Sequence, residues 1–170
     1  MRGPEVISTF HNIGIELLDD LQKLILRMSE STGRYPTTNI GGWKSDEKFF
    51  DTPHIAVRRL RHDLERFVVG LNITGWAMVN REGCYHPRHQ HTNVLLSGVY
   101  YVDPGDPVTP TVFEDSRGEE ITPPQIMAGT LVTFPENMWH YVPIYQGTKP
   151  RITIVLNAKR EDNLTISRHA

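Results

Sequence analysis

The chain has 170 residues and a mass of 19.5 kDa, with 38% apolar residues, 22% charged residues and a formal net charge of −2. These numbers fit one domain around one hydrophobic core, and they exclude a charge-rich disordered chain or a basic surface built on phosphate contacts. Nucleic acid is therefore not an expected partner, and a homodimer is compatible with the composition.

The single cysteine, Cys84, excludes an intrachain disulfide framework and any CxxC site, which fits a cytoplasmic location. The N-terminal residues have no apolar run after Arg2, so no signal peptide is expected. The longest apolar stretch, 94–102, falls far short of the roughly 20 residues of a membrane helix, so no membrane partner is expected. One count stands out: eight histidines, three of which (His86, His89, His91) fall within six residues.

In chain order, Leu17, Leu18, Leu21, Leu24, Ile25 and Met28 recur at three- and four-residue spacing, which predicts an amphipathic helix over about 13–28. A Gly- and Thr-rich loop follows over 31–51, too long for a plain connector, carrying Asn39, Gly41, Gly42 and Trp43. It is a candidate lid or substrate wall, or a loop that packs Trp43 onto the body. A second helix is expected over about 53–68, capped by Asp51 or Thr52 with Pro53 in the first turn, striped by Ile55, Leu60, Leu64 and Phe67. Arg58, Arg59, Arg61 and Arg66 read as its solvated face.

After Gly70 the texture becomes short β-branched and aromatic runs at 73–81, 94–102, 111–113, 130–134, 141–144 and 151–158. Helices followed by six or more short strands predict a mainly β, α+β fold, a sandwich or barrel with N-terminal helices on one outer face. The expected organisation is a single domain over 1–170: supporting helices and loop in 1–70, a β core in 71–158 and a tail in 159–170.

His89 and His91 sit at i and i+2, on one face of extended backbone, where both imidazoles can chelate one ion. His140, at the start of another strand, is a candidate third ligand that would leave coordination positions open. Strict alternation points His86 away from this pair. On the last strand Ile152, Ile154 and Leu156 are apolar while Arg151, Thr153 and Asn157 are polar, so one face packs and the other offers a guanidinium beside a hydroxyl. That pairing suits a dicarboxylate.

These residues resemble the small 2-oxoglutarate/Fe(II)-dependent oxygenases with a double-stranded β-helix (jelly-roll) core. The resemblance rests on Asn39–Ser45, Trp76–Asn80, Gly83–His91, Leu96–Val102, Phe113–Arg117, Gly129–Pro135 with His140, and Arg151–Thr153 with Asn157. It implies a dioxygenase that uses Fe(II), 2-oxoglutarate and O2 and hydroxylates a small molecule or amino-acid side chain, with succinate and CO2 as co-products. It implies Fe(II) on His89 and His140, and the far carboxylate of 2-oxoglutarate on Arg151 assisted by Thr153, with Tyr101 and Asn80 as further co-substrate contacts. The wider superfamily has a carboxylate where this chain has His91. Either His91 ligates, completing a three-histidine set, or it leaves the position open and Glu114 or Asp115 approaches instead.

Two other readings stay open at the level of sequence. Gly83 followed by His89-x-His91 fits half of a cupin signature, which would give a three-histidine dioxygenase without 2-oxoglutarate. The glutamate expected a few residues later is missing. A non-catalytic jelly-roll module with a structural metal would need four ligands. Arg151 with Thr153 is the feature that only the oxygenase reading requires.

Overall fold

A computed structural model describes residues 7–35 and 37–160; His169 and most of the expected tail lie outside the described residues. In chain order come β1 (Ser8–Phe10), a 3-10 turn (Ile15–Leu17), α1 (Leu18–Ser31), β2 (Trp43–Lys44), a second 3-10 turn (Phe49–Asp51) and α2 (Ile55–Glu65). Then follow β3 (Asn72–Asn80), β4 (His86–His89), β5 (Leu96–Asp103), β6 (Val112–Glu114), β7 (Glu120–Ile121), β8 (Thr130–Pro135), β9 (His140–Val142) and β10 (Arg151–Lys159). The strands form a six-stranded sheet, β1-β8-β5-β10-β3-β2, and a four-stranded sheet, β4-β9-β6-β7, with antiparallel ladders throughout. This is the jelly roll with its helices on one outer face.

The helices begin later than their apolar stripes suggest. Ile15–Leu17 close a 3-10 turn before α1, whose buried residues are Leu21 and Ile25. Neither Asp51 nor Thr52 caps α2: Phe49–Asp51 are taken up in a 3-10 turn, and His54 is the N-cap, its Nδ1 accepting from the Ala56 amide at 3.3 Å. Ile55 is 58% exposed, and the packing stripe is Ala56, Val57, Leu60 and Leu64.

Both helices lie on the six-stranded sheet over one core that includes Leu21, Ile25, Leu60, Leu64, Ala77, Tyr100, Ile152, Ile154 and Leu156. A smaller core of Val99, Tyr101, Phe113, Val132, Phe134 and Met138 lies on the opposite face. Period-2 alternation divides each central strand between the two. On β10 the apolar Ile152, Ile154 and Leu156 turn to the helices, which leaves Arg151, Thr153, Val155 and Asn157 for the space between the sheets.

Register then stacks that space in rungs. Arg151 pairs with Asn80, Thr153 lies between Met78 and Tyr101, Val155 between Trp76 and Val99, and Asn157 between Thr74 and Ser97. An irregularity places one extra β5 residue between the Ile152–Asp103 and Thr153–Tyr101 pairs. On the facing sheet His89 pairs with His140 and His86 with Val142, three β4 steps against two on β9. That bulge reverses the side on which His86 emerges.

Candidate metal and co-substrate site

The structure brings His89, His91 and His140 together, with one nitrogen of each within 4.8 Å of the others. Their rings lie 4.2 Å (His89–His140), 5.0 Å (His91–His140) and 5.5 Å (His89–His91) apart, centroid to centroid. His89 ends β4 and His140 opens β9, so the ladder itself sets that pair side by side. His91 lies just beyond β4, where its amide donates to the Glu136 carbonyl at 2.9 Å.

Hydrogen bonding fixes which nitrogen each ring presents. Nδ1 of His89 faces the Pro87 carbonyl at 2.8 Å and Nδ1 of His140 the Met138 carbonyl at 2.9 Å. A carbonyl only accepts, so both Nδ1 atoms carry the proton and both Nε2 lone pairs are bare. His91 Nδ1 meets Ser97 Oγ at 2.5 Å, and Ser97 gives its one proton to Asn157 Oδ1 at 2.8 Å. Ser97 therefore accepts from His91, whose Nε2 is likewise bare. Three neutral imidazoles held by their outer nitrogens are what a metal requires of histidine ligands.

Electrostatics point the same way. Burial pushes His140 down to about 3 and His91 to about 4, helped in each case by the neighbouring His89, and burial also lowers His89. At neutral pH the cluster is uncharged and ready for a cation.

Beyond the histidines a narrow cavity of about 30 Å³ runs between the sheets, lined among others by Trp76, Met78, Thr111, Val155, Thr153 and Arg151. Arg151 is 2% exposed. Its Nε donates to the Thr109 carbonyl at 2.8 Å, while Nη2 is buried without a partner. An unpaired donor of this kind costs about 1–3 kcal/mol, more when charged, and burial depresses the guanidinium. An anion between Arg151 and the histidines removes that penalty. The donor set therefore fits both groups: bare imidazoles for Fe(II), and a buried, partly unpaired guanidinium for a carboxylate.

The other residues marked in the sequence fall at different distances from this axis. Thr153 lines the cavity. Tyr101 is fully buried on the same face, with its ring centroid 5.4 Å from the Arg151 guanidinium carbon. Its hydroxyl receives the Thr111 amide at 2.9 Å and donates to Thr111 Oγ1 at 3.2 Å. Asn80 pairs with Arg151 in the ladder, but its amide is engaged with Asn39 at 3.0 Å and 3.4 Å. Gly42 is required there, since a Cβ would come within 2.0 Å of the Asn39 amide nitrogen.

One sequence expectation is corrected, and in two cases one of the alternatives left open is not met. His86 does not point away: the β4 bulge stacks it on His89 at 3.9 Å, and it lines the cavity. Glu114 is bound in a bidentate pair by Arg88 at 2.7–2.9 Å, and Asp115 is held by Arg117 and the Glu119 amide. Neither acid joins the histidine cluster. Trp43 is not a wall of the cavity; it pairs with Val79 and packs toward the helix-side core, beside a surface cleft of about 690 Å³ that is remote from the histidines.

Ser97, Trp76, Met78 and Lys44 lie in stretches that carry the resemblance but have no role assigned there, and Thr109 lies outside those stretches. Counting back by twos from Tyr101 finds Ser97, but the Thr109 carbonyl leaves no trace in side-chain patterns.

Residues 74–128 match the family model described as "Putative 2OG-Fe(II) oxygenase", a stretch that includes His89, His91 and Tyr101 and stops before His140 and Arg151. No curated protein matches the chain significantly. Among solved structures it is similar to a Pseudomonas putida prolyl-4-hydroxylase (TM-score 0.69, 17% identity, 92% of this chain and 93% of that one). A Trichoplax adhaerens prolyl hydroxylase in complex with a hypoxia inducible factor peptide fragment gives TM-score 0.71 at 15% identity, over 91% and 84% of the chains. HygX of Streptomyces hygroscopicus, solved with nickel and 2-oxoglutarate bound, gives 0.71 at 8%, over 93% and 84%. At these identities the structures speak for the fold alone. Over residues 74–128 the chain is thus similar to 2-oxoglutarate/Fe(II)-dependent oxygenases, and its three-histidine cluster is a donor set that fits Fe(II). Among the described residues no helix is long and apolar enough to cross a membrane.

Proposed function

We propose that this enzyme hydroxylates a small molecule or an amino-acid side chain in the cytoplasm, with Fe(II) on His89, His91 and His140 and the far carboxylate of 2-oxoglutarate on Arg151. The observation that carries this reading is the buried, unpartnered Nη2 of Arg151 in the same cavity as three bare imidazole nitrogens. A cupin-type dioxygenase needs no such guanidinium, and a closed structural site would offer a fourth ligand.

Bound Fe(II) supplies the oxygen chemistry, by which R–H, 2-oxoglutarate and O2 become R–OH, succinate and CO2. The protein's part is positional. Ser97 and two backbone carbonyls hold the imidazoles in one tautomer. Arg151, fixed by Thr109, sets the depth of the co-substrate by charge and by its planar donors, with Thr153 one rung nearer the histidines. Three neutral ligands leave the metal charge unreduced, so the dianionic co-substrate supplies the compensating negative charge. The cavity, about 30 Å³, holds roughly one water. Co-substrate binding therefore requires the cavity to widen.

The test is aerobic incubation of the Fe(II)-loaded protein with 2-oxoglutarate, assayed for succinate. Slow formation without added substrate, abolished by a chelator, is the expected result. Metal binding with no succinate under any condition overturns the reading.

A further inference from the structure

Lys44 is unusual for a lysine. It stands on β2 opposite Met78, so its side chain turns to the space between the sheets, on the flank of the cavity away from Tyr101. It is 9% exposed. Its ammonium lies 4.5 Å from the centroid of the Trp76 ring, and Trp76 lines the cavity with its own ring 6.4 Å from that of His91. Among the described residues the one carboxylate paired with Lys44 is that of Glu47, at a long 3.4 Å, on a side chain 70% exposed.

An ammonium has three donors and is strongly hydrated, so burying it against an aromatic face with one long contact leaves hydrogen-bonding capacity unused. A cation fixed over the Trp76 face is attracted by the ring quadrupole, which offsets part of the desolvation and holds the charge in place. The position is also at the seam where the two sheets meet. Ile40 bridges Tyr85, and Thr38 Oγ1 meets His86 Nε2 at 2.5 Å. Lys44 thus lies behind Trp76, on the β2 side of the cavity that Trp76 and His86 line, with Arg151 on the same cavity's wall.

We propose that Lys44 receives a carboxylate of the prime substrate, with the adjoining carbon skeleton laid on Trp76, so that the enzyme acts on small free carboxylic acids such as amino acids. Two cations then divide two acids: Arg151 takes the co-substrate's far carboxylate and Lys44 the prime substrate's. Glu47 is the internal competitor for the ammonium and is displaced on binding. This inference rests on the oxygenase reading and narrows it.

The experiment uses the Ni(II)-loaded, 2-oxoglutarate-bound protein, which cannot turn over, with the twenty free L-amino acids and their C-terminal amides as probes, followed by ligand-observed NMR and tryptophan fluorescence. At least one acid is expected to bind, its amide at least tenfold more weakly. Lys44→Met should weaken that acid at least tenfold, and Lys44→Arg should keep it within a few-fold. Glu47→Ala, at an exposed position where folding is safe, should tighten it. Binding of no acid, equal binding of acid and amide, undiminished binding by Lys44→Met, or no tightening in Glu47→Ala overturns the proposal. Failure of the wild-type protein to bind 2-oxoglutarate at all counts against the oxygenase reading instead.

Discussion

Arg151 on β10 and His140 on β9 enter one cavity from opposite sheets, and each leaves a side-chain nitrogen without a partner inside it. One is a cationic donor and the other a neutral lone pair. A ligand that satisfied both would be an anion at one end and reach a metal at the other, which is the role proposed for 2-oxoglutarate on Fe(II).

Removing His140 takes away one of three converging nitrogens. His140→Ala is expected to abolish Fe(II) binding, measured by anaerobic calorimetry, and succinate formation with it. Turnover that persists in this variant would sink the ligand assignment.

Arg151 separates function from stability. Arg151→Met removes a buried, incompletely paired charge and fills the same space with apolar atoms, an exchange that is often neutral or stabilising. The melting temperature of the metal-free protein should hold or rise, while the 2-oxoglutarate requirement rises by about 10²–10³-fold, as loss of one partner of a buried charge pair implies. Iron affinity should stay unchanged. A lower melting temperature with normal 2-oxoglutarate affinity would make Arg151 a structural residue.

Ser97 acts through His91. Ser97→Ala leaves the His91 Nδ1–H and Asn157 without their shared partner, so metal affinity should fall about 10–100-fold with the fold retained by circular dichroism. An unchanged affinity would mean that His91 needs no such support.

The histidine shifts set a pH dependence of definite sign. His86 and His140 are pushed down to about 3 and His91 to about 4, in each case chiefly by burial, whereas the unfolded chain titrates near 6.5. Between those values the unfolded state binds more protons, so stability of the metal-free protein falls as pH drops below about 6.5 and is lost progressively toward about 3. Iron affinity, by contrast, should change little between pH 8 and about 7, because burial lowers all three folded ligands from their ordinary value and they are already neutral there. A stability that rises on acidification, followed by thermal melts, would contradict the burial of these rings.

Much of this architecture was legible in the chain. Ile152, Ile154 and Leu156 alternate with Arg151, Thr153 and Asn157, and that alternation alone assigns the faces of β10. His89 and His91 announced themselves by spacing. What stayed hidden depended on partners distant in sequence. The β4 bulge that turns His86 inward exists only in register with β9. The two-residue β2 that faces Lys44 inward is too short for a periodic signal, and the capping role of His54 follows from a 3-10 turn that consumes the better capping residues. Glu114 looked available as a ligand because nothing local reveals its pairing with Arg88, 26 residues away.

The central claim is that one cavity holds a metal and 2-oxoglutarate between the three histidines and Arg151, and a crystal structure of the protein soaked with Ni(II) and 2-oxoglutarate tests it most directly. The account predicts the ion on His89, His91 and His140, with the co-substrate's far carboxylate on Arg151 Nη2. An ion held by other residues, or a carboxylate bound away from Arg151, would contradict it.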